Sequence, residues 1–171
     1  MKIMVDTNIY DKIIETPGML ERLNSHTADG HLTVLTTFVQ EEQIAAITDT
    51  EKRKMIQSIQ RTKVPPAAGL WGLTPWGEFP WGSDGSEGGL PVHEVMTTIT
   101  PEQADVAMPK EHAEAFGLRR GHSGDALIAS TASVEADVLV TEDGRLRKKV
   151  KNSGAKCHVW TFDNLREYVF K

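Results

Sequence analysis

Apolar residues recur along this chain in two rhythms. Short continuous runs at residues 2–5, Leu32–Thr36, Val138–Thr141 and Cys157–Trp160 suit strands of a parallel sheet buried on both faces. Between them the spacing turns helical. Ile9, Ile13, Ile14, Leu20 and Leu23 follow a helical period broken at Pro17-Gly18, which predicts two short helices rather than one. Phe38–Thr48 presents Val39, Ile44 and Ile47 on one broad face, and Glu51–Arg61 does the same with Met55, Ile56 and Ile59. After Gly30 marks the break before the second strand, this alternation runs without interruption to Arg61.

The pattern lapses from Val64 to Leu90. Here the chain carries Trp71, Trp76 and Trp81, the prolines 65, 66, 75 and 80, and the run Gly82-Ser83-Asp84-Gly85-Ser86-Glu87-Gly88-Gly89. A stretch this long exceeds ordinary connections and reads as an insertion at about 64–100, its Trp-rich half fit to fold onto the body or a partner. Helical character returns at Pro101, well placed in the first turn of a helix running to about Phe116. Ser123 is positioned to cap the next helix, Asp125–Val134; Asp143–Val150 and Asn164–Phe170 complete the helices. Strands alternating with helices predict a single α/β domain over 1–171. Its expected form is a three-layer α/β/α sandwich around a mostly parallel sheet.

Composition narrows the class. At 171 residues, 39% hydrophobic and 25% charged, the chain is an ordinary globular domain. A net charge of −5 argues against a generally sticky nucleic-acid binder. Cys157 is the single cysteine, so an intrachain disulfide and a cysteine-rich zinc site are both excluded. Too few apolar residues precede Asp6 for a signal-peptide core, and no apolar run has membrane-spanning length. The expectation is a soluble cytoplasmic protein with no membrane partner.

Candidate chemistry lies in the carboxylates. Asp6 follows the first strand, Glu41-Glu42 lie in the helix after the second, Asp125 opens a helix and Asp143 follows Val138–Thr141. Ligand sites of open parallel sheets form at the carboxyl ends of the strands, where Asp6 and Asp143 fall. Each acid alone has a plainer role: Asp6 and Asp143 as helix N-caps, Asp125 as dipole compensation, Glu41 or Glu42 on a solvated face. Gathered in one place, such acids repel one another and require a counter-charge, which Mg²⁺ or Mn²⁺ with hard oxygen ligands supplies.

The pieces Val5-Asp6-Thr7-Asn8, Glu41-Glu42, Gly124-Asp125-Ala126-Leu127-Ile128-Ala129 and Leu139-Val140-Thr141-Glu142-Asp143, in that order, resemble the PIN-domain family of metal-dependent nucleases, which includes VapC-like toxins. The resemblance spans most of the chain apart from the Trp/Gly-rich insertion. It implies a metal-dependent endoribonuclease in which Asp6, Glu42, Asp125 and Asp143 hold one or two Mg²⁺ or Mn²⁺ ions. Asn8 and Thr141 would orient these acids by hydrogen bonding. Glu41 competes with Glu42 for the second position, because adjacent helical residues point about 100° apart and one of them faces the metal. An RNA substrate, a toxin role with an antitoxin partner, and a homodimer are further expectations of the resemblance, although the insertion departs from the compact toxin pattern.

Arg145, Arg147, Lys148 and Lys149 form a basic stretch beside Asp143 that would guide a nucleic-acid backbone; the alternative is a solvated helix face. A haloacid-dehalogenase-like phosphatase also starts from an aspartate after its first strand, but needs a second aspartate two residues on, where this chain has Asn8. The other alternative is a non-catalytic PIN-like module that binds protein or RNA.

Overall fold

The computed structural model describes residues 1–66, 122–152 and 155–171. The expected helix Pro101–Phe116, Trp71, Trp76, Trp81 and nearly all of the insertion lie outside these residues.

Along the described chain come β1 (Lys2–Val5), α1 (Thr7–Glu15), α2 (Met19–Ala28), β2 (Thr33–Thr36), α3 (Phe38–Ala45), α4 (Thr50–Gln57) and β3 (Thr62–Lys63). After the undescribed segment follow α5 (His122–Glu135), β4 (Val138–Val140), α6 (Gly144–Asn152), β5 (His158–Trp160) and α7 (Phe162–Val169). The described strands form one sheet in the order β3-β2-β1-β4-β5, with every pairing parallel. This is an α/β fold with helices on both faces of a parallel sheet.

The apolar strand runs explain the layering. Successive side chains of a strand point to opposite faces, so a run that is apolar throughout needs cover on both. Ile3, Val5, Val34, Val138 and Val140 pack on one side with Ile9 and Ile13 of α1, Leu23 of α2, Ile56 of α4 and Leu165 of α7. The alternate residues Met4, Leu35 and Leu139 pack on the other with Ile128 and Ala132 of α5 and Leu146 and Val150 of α6. The break expected at Pro17-Gly18 separates α1 from α2, and Gly18 takes φ 74° there, a left-handed conformation natural to glycine.

Several elements differ from their expected form: α3 ends at Ala45 rather than Thr48, and α5 already begins at His122, so Ser123 lies inside it rather than capping it. The helix expected over Glu51–Arg61 ends at Gln57, and Thr62–Lys63 becomes edge strand β3 beside β2. Val64 extends that pairing through its N–H to Thr36 O at 2.9 Å, so the start of the irregular stretch belongs to the sheet. A two-residue exposed strand carries no periodicity, which is why its sequence shows none. The last helix starts earlier than Asn164, because Thr161 and Asn164 form a reciprocal capping box at its entrance.

Candidate active site

Strand order creates the site. β1 and β4 are neighbours, with Val5 opposite Val140, so the residues that follow them emerge side by side at the carboxyl edge. The Asp6 N–H donates to Val140 O at 2.9 Å, and Thr141 N–H to Trp160 O at 3.0 Å. These bonds bring Asp6 beside Thr141, 135 residues later in the chain.

Asp6 occupies the N-cap position of α1 but makes no side-chain capping bond to that helix. Its carboxylate, in a residue only 3% exposed, is held by other donors: Thr141 Oγ1 donates to Oδ2 at 2.6 Å and Asn8 Nδ2 to the same oxygen at 2.9 Å. Burial pushes the Asp6 pKa above its ordinary 3.8; Thr141, the Thr7 backbone and Asn8 oppose the rise, and the Asp143 charge adds to it. Thr141 is fully buried. Its hydroxyl also accepts the Asp143 N–H at 3.1 Å, so one side chain links two of the acids.

Asp143 caps α6. Its Oδ1 accepts from Arg145 N at 2.7 Å and from Leu146 N at 3.2 Å, satisfying donors that a helix start leaves open. Capping and proximity to Asp6 therefore coexist in this residue. Asp125 stands half-buried in the first turn of α5. Its pKa rises from 3.8 to about 7, first through burial and then through the charges of Asp6 and Asp143.

Three aspartates from separate segments thus share one electrostatic environment. The donors on Asp6 and Asp143 are hydroxyl, amide and backbone N–H groups, all neutral, so they orient these carboxylates without cancelling their charge. Carboxylate oxygens whose donors among the described residues are neutral suit a hard divalent cation. Among the described residues, however, no three His, Cys, Asp or Glu side chains converge into a ready-made cation cage.

The two glutamates take other places. Glu41 faces Arg61, with Oε1 3.1 Å from Nε and Oε2 3.4 Å from an Arg61 terminal nitrogen. The Nε contact is an ion pair rather than an aligned hydrogen bond. Burial pushes the Tyr10 hydroxyl nearby up to about 12; the Arg61 charge opposes this and that of Glu41 reinforces it. Glu42 is exposed. Beside the apolar Ile44, the polar side chains that hydrogen-bond from α3 to the end of β1 and the start of α1 are amides. Gln40, fully buried, donates from Nε2 to Val5 O at 2.5 Å and accepts from Thr37 N at 3.0 Å. Gln43 Oε1 accepts from Thr7 Oγ1 at 2.5 Å. Their spacing of three keeps them on one helix face.

Beyond Asp143, Arg145 and Lys148 are exposed on α6 and Arg147 is half-buried, while the Lys149 side chain lies outside the described residues. Glu142, between Thr141 and Asp143, accepts the Phe162 N–H at 3.1 Å and pairs with Lys12 Nζ at 3.1 Å. No helix among the described residues is long and apolar enough to cross a membrane.

No protein-family model matches the chain, and no curated protein matches it in sequence. Among solved structures, a chain from the crystal structure of VapBC2 from Rickettsia felis bound to a DNA fragment from their promoter is similar at 16% identity and a TM-score of 0.44. The alignment covers 94% of this chain and 98% of that one.

Proposed function

We propose that this chain is a divalent-metal-dependent nuclease that hydrolyses RNA phosphodiester bonds. The observation that carries the reading is the Asp6 carboxylate. It is buried, does not cap its own helix, is held by neutral donors from two segments, and shares its environment with Asp125 and Asp143. An arrangement that raises carboxylate pKa values is unfavourable for an empty fold, and such perturbation is common where groups serve a function.

In this reading Asp6, Asp125 and Asp143 hold Mg²⁺ or Mn²⁺, with Glu42 or Glu41 as the candidate fourth acid. The ion would supply charge neutralisation and Lewis acidity for attack of water on the phosphorus. The protein's own groups do the positioning. Thr141 and Asn8 fix the Asp6 oxygens, Thr141 ties the Asp143 backbone to them, and the α6 amides hold Asp143 Oδ1. Arg145, Arg147, Lys148 and Lys149 would attract the substrate backbone to the same edge. The toxin role, an antitoxin partner and a homodimer belong to this proposal through the motif resemblance.

The test is cleavage of a mixed panel of structured RNA and single-stranded DNA with Mg²⁺ or Mn²⁺, beside EDTA and Asp6→Asn controls. Cutting of RNA that both controls abolish is the expected result. Preference for DNA would overturn the substrate assignment. Absence of both cutting and metal binding would overturn the enzyme and favour the non-catalytic module.

A further inference from the structure

Glu142 stands between two residues of the proposed site yet faces away from it. Its Oε1 receives two donors from different parts of the fold: Lys12 Nζ of α1 at 3.1 Å and the Phe162 N–H, in the first turn of α7, at 3.1 Å. Lys12 lies one helical turn beyond Asn8, the residue that donates to Asp6, and its Nζ also sits 5.8 Å from the centre of the Phe162 ring. One carboxylate therefore joins α1, α7 and the connection between β4 and α6.

The side-chain contacts of Thr141 and Asp143 point the other way, while the Thr141 N–H is held by Trp160 O at 3.0 Å. Thr141 Oγ1 reaches Asp6 at 2.6 Å, the Asp143 N–H reaches Thr141 Oγ1 at 3.1 Å, and Asp143 Oδ1 closes on the α6 amides. Residues 141–143 form no regular structure, so beyond the Thr141 N–H to Trp160 O bond their path depends on such side-chain anchors. The Lys12–Glu142 pair is solvated, with the two side chains 46% and 32% exposed, and as an ion pair contributes little to stability. What it does provide is direction: with Glu142 held outward, its neighbours on either side turn toward Asp6.

The geometry points to Glu142 as a positioning residue that fixes Thr141 and Asp143 against Asp6 through Lys12 and the Phe162 amide. The inference rests on the nuclease reading for its functional consequence, whereas its structural part stands by itself.

The experiment compares wild-type protein with Glu142→Ala, Glu142→Gln and Lys12→Met. Three readouts are used: hydrogen exchange across 141–146, Mn²⁺ affinity, and kcat and KM on the cleaved RNA. Loss of both anchoring contacts in Glu142→Ala should speed exchange in this segment by about tenfold or more, with the β1 and β2 amides unchanged. Disturbing a group that orients ligands should weaken Mn²⁺ binding by about tenfold, and kcat should fall while KM holds. Glu142→Gln keeps an acceptor for Phe162 and should recover most of the protection, and Lys12→Met should fall between. Should the Glu142 variants lower only the melting temperature, leaving exchange at 141–146 and Mn²⁺ affinity at wild-type values, the residue merely braces α7 and the inference is wrong. A wild-type protein that neither binds Mn²⁺ nor cuts RNA sinks the nuclease reading. Exchange at 141–146 then decides by itself whether Glu142 holds the loop.

Discussion

Replacing Asp125 by asparagine should make the metal-free protein more stable at neutral pH while removing its response to metal. In the fold this carboxyl has its pKa raised from 3.8 to about 7 by burial and by the charges of Asp6 and Asp143. A raised pKa means the folded state binds the proton more tightly than the unfolded state does. The associated stability is fully present below about pH 3.8 and is lost as pH rises toward 7. At 1.36 kcal/mol per pH unit, the loss from 3.8 to about 7 is roughly 4 kcal/mol. Relaxation and solvent entry lower that figure, so about 2–4 kcal/mol is expected. Asparagine keeps the shape without the charge. Urea unfolding in EDTA should show the variant matching wild type near pH 4 and exceeding it by that amount at pH 8. Saturating Mn²⁺ should reverse the ranking, because an ion bound only by the folded state stabilises it by mass action. A variant no more stable than wild type at pH 8 in EDTA would refute the electrostatic argument. If Mn²⁺ stabilises variant and wild type equally, Asp125 is not a ligand.

Other substitutions separate orientation, charge and substrate contact. Thr141→Val preserves volume but removes the donor to Asp6 and the acceptor for Asp143 N–H; it should cost about 2 kcal/mol in urea unfolding, and no measurable change would count against Thr141 as the link between the acids. Glu41→Gln leaves the Arg61 side chain, 8% exposed, short of a counter-charge and should destabilise by about 1–2 kcal/mol, less than a fully buried pair because Glu41 is partly solvated. Glu42→Gln should leave stability unchanged; if it also leaves Mn²⁺ affinity and cleavage unchanged, Glu42 is excluded as the fourth acid. Arg145→Ala and Lys148→Ala should raise KM with kcat retained, each lessening the slope of log affinity against log salt by about 0.7 for single-stranded substrate. Unchanged slopes would return both residues to a solvated helix face.

Much of the fold was legible because it is local. A strand covered on both faces must be apolar throughout, and residues 3–5 and 138–140 satisfy that directly. The Pro17-Gly18 break also announces itself, since proline and glycine act on their own backbone. The short edge strand Thr62–Lys63 was not legible, because it is defined by hydrogen bonds to β2 and has no internal rhythm. Within the candidate site, Asp6 and Asp143 could be placed at strand ends from pattern alone, as could Asp125 in its first helical turn. Their roles as caps or as a shared group could not.

What each acid contacts came from tertiary structure. Sequence by itself determined which segments are buried strands and amphipathic helices, and that acids stand at their ends, since backbone geometry converts spacing directly into faces. Only the packed sheet decided that β1 lies beside β4, so that Thr141 reaches Asp6 across 135 residues. Only the packed α3 decided that Gln40 and Gln43 turn inward while Glu41 pairs with Arg61 and Glu42 meets solvent. The physical reason is one of range. Periodicity is a property of neighbouring residues, whereas strand order and the partner of a buried charge depend on burying every apolar face at once.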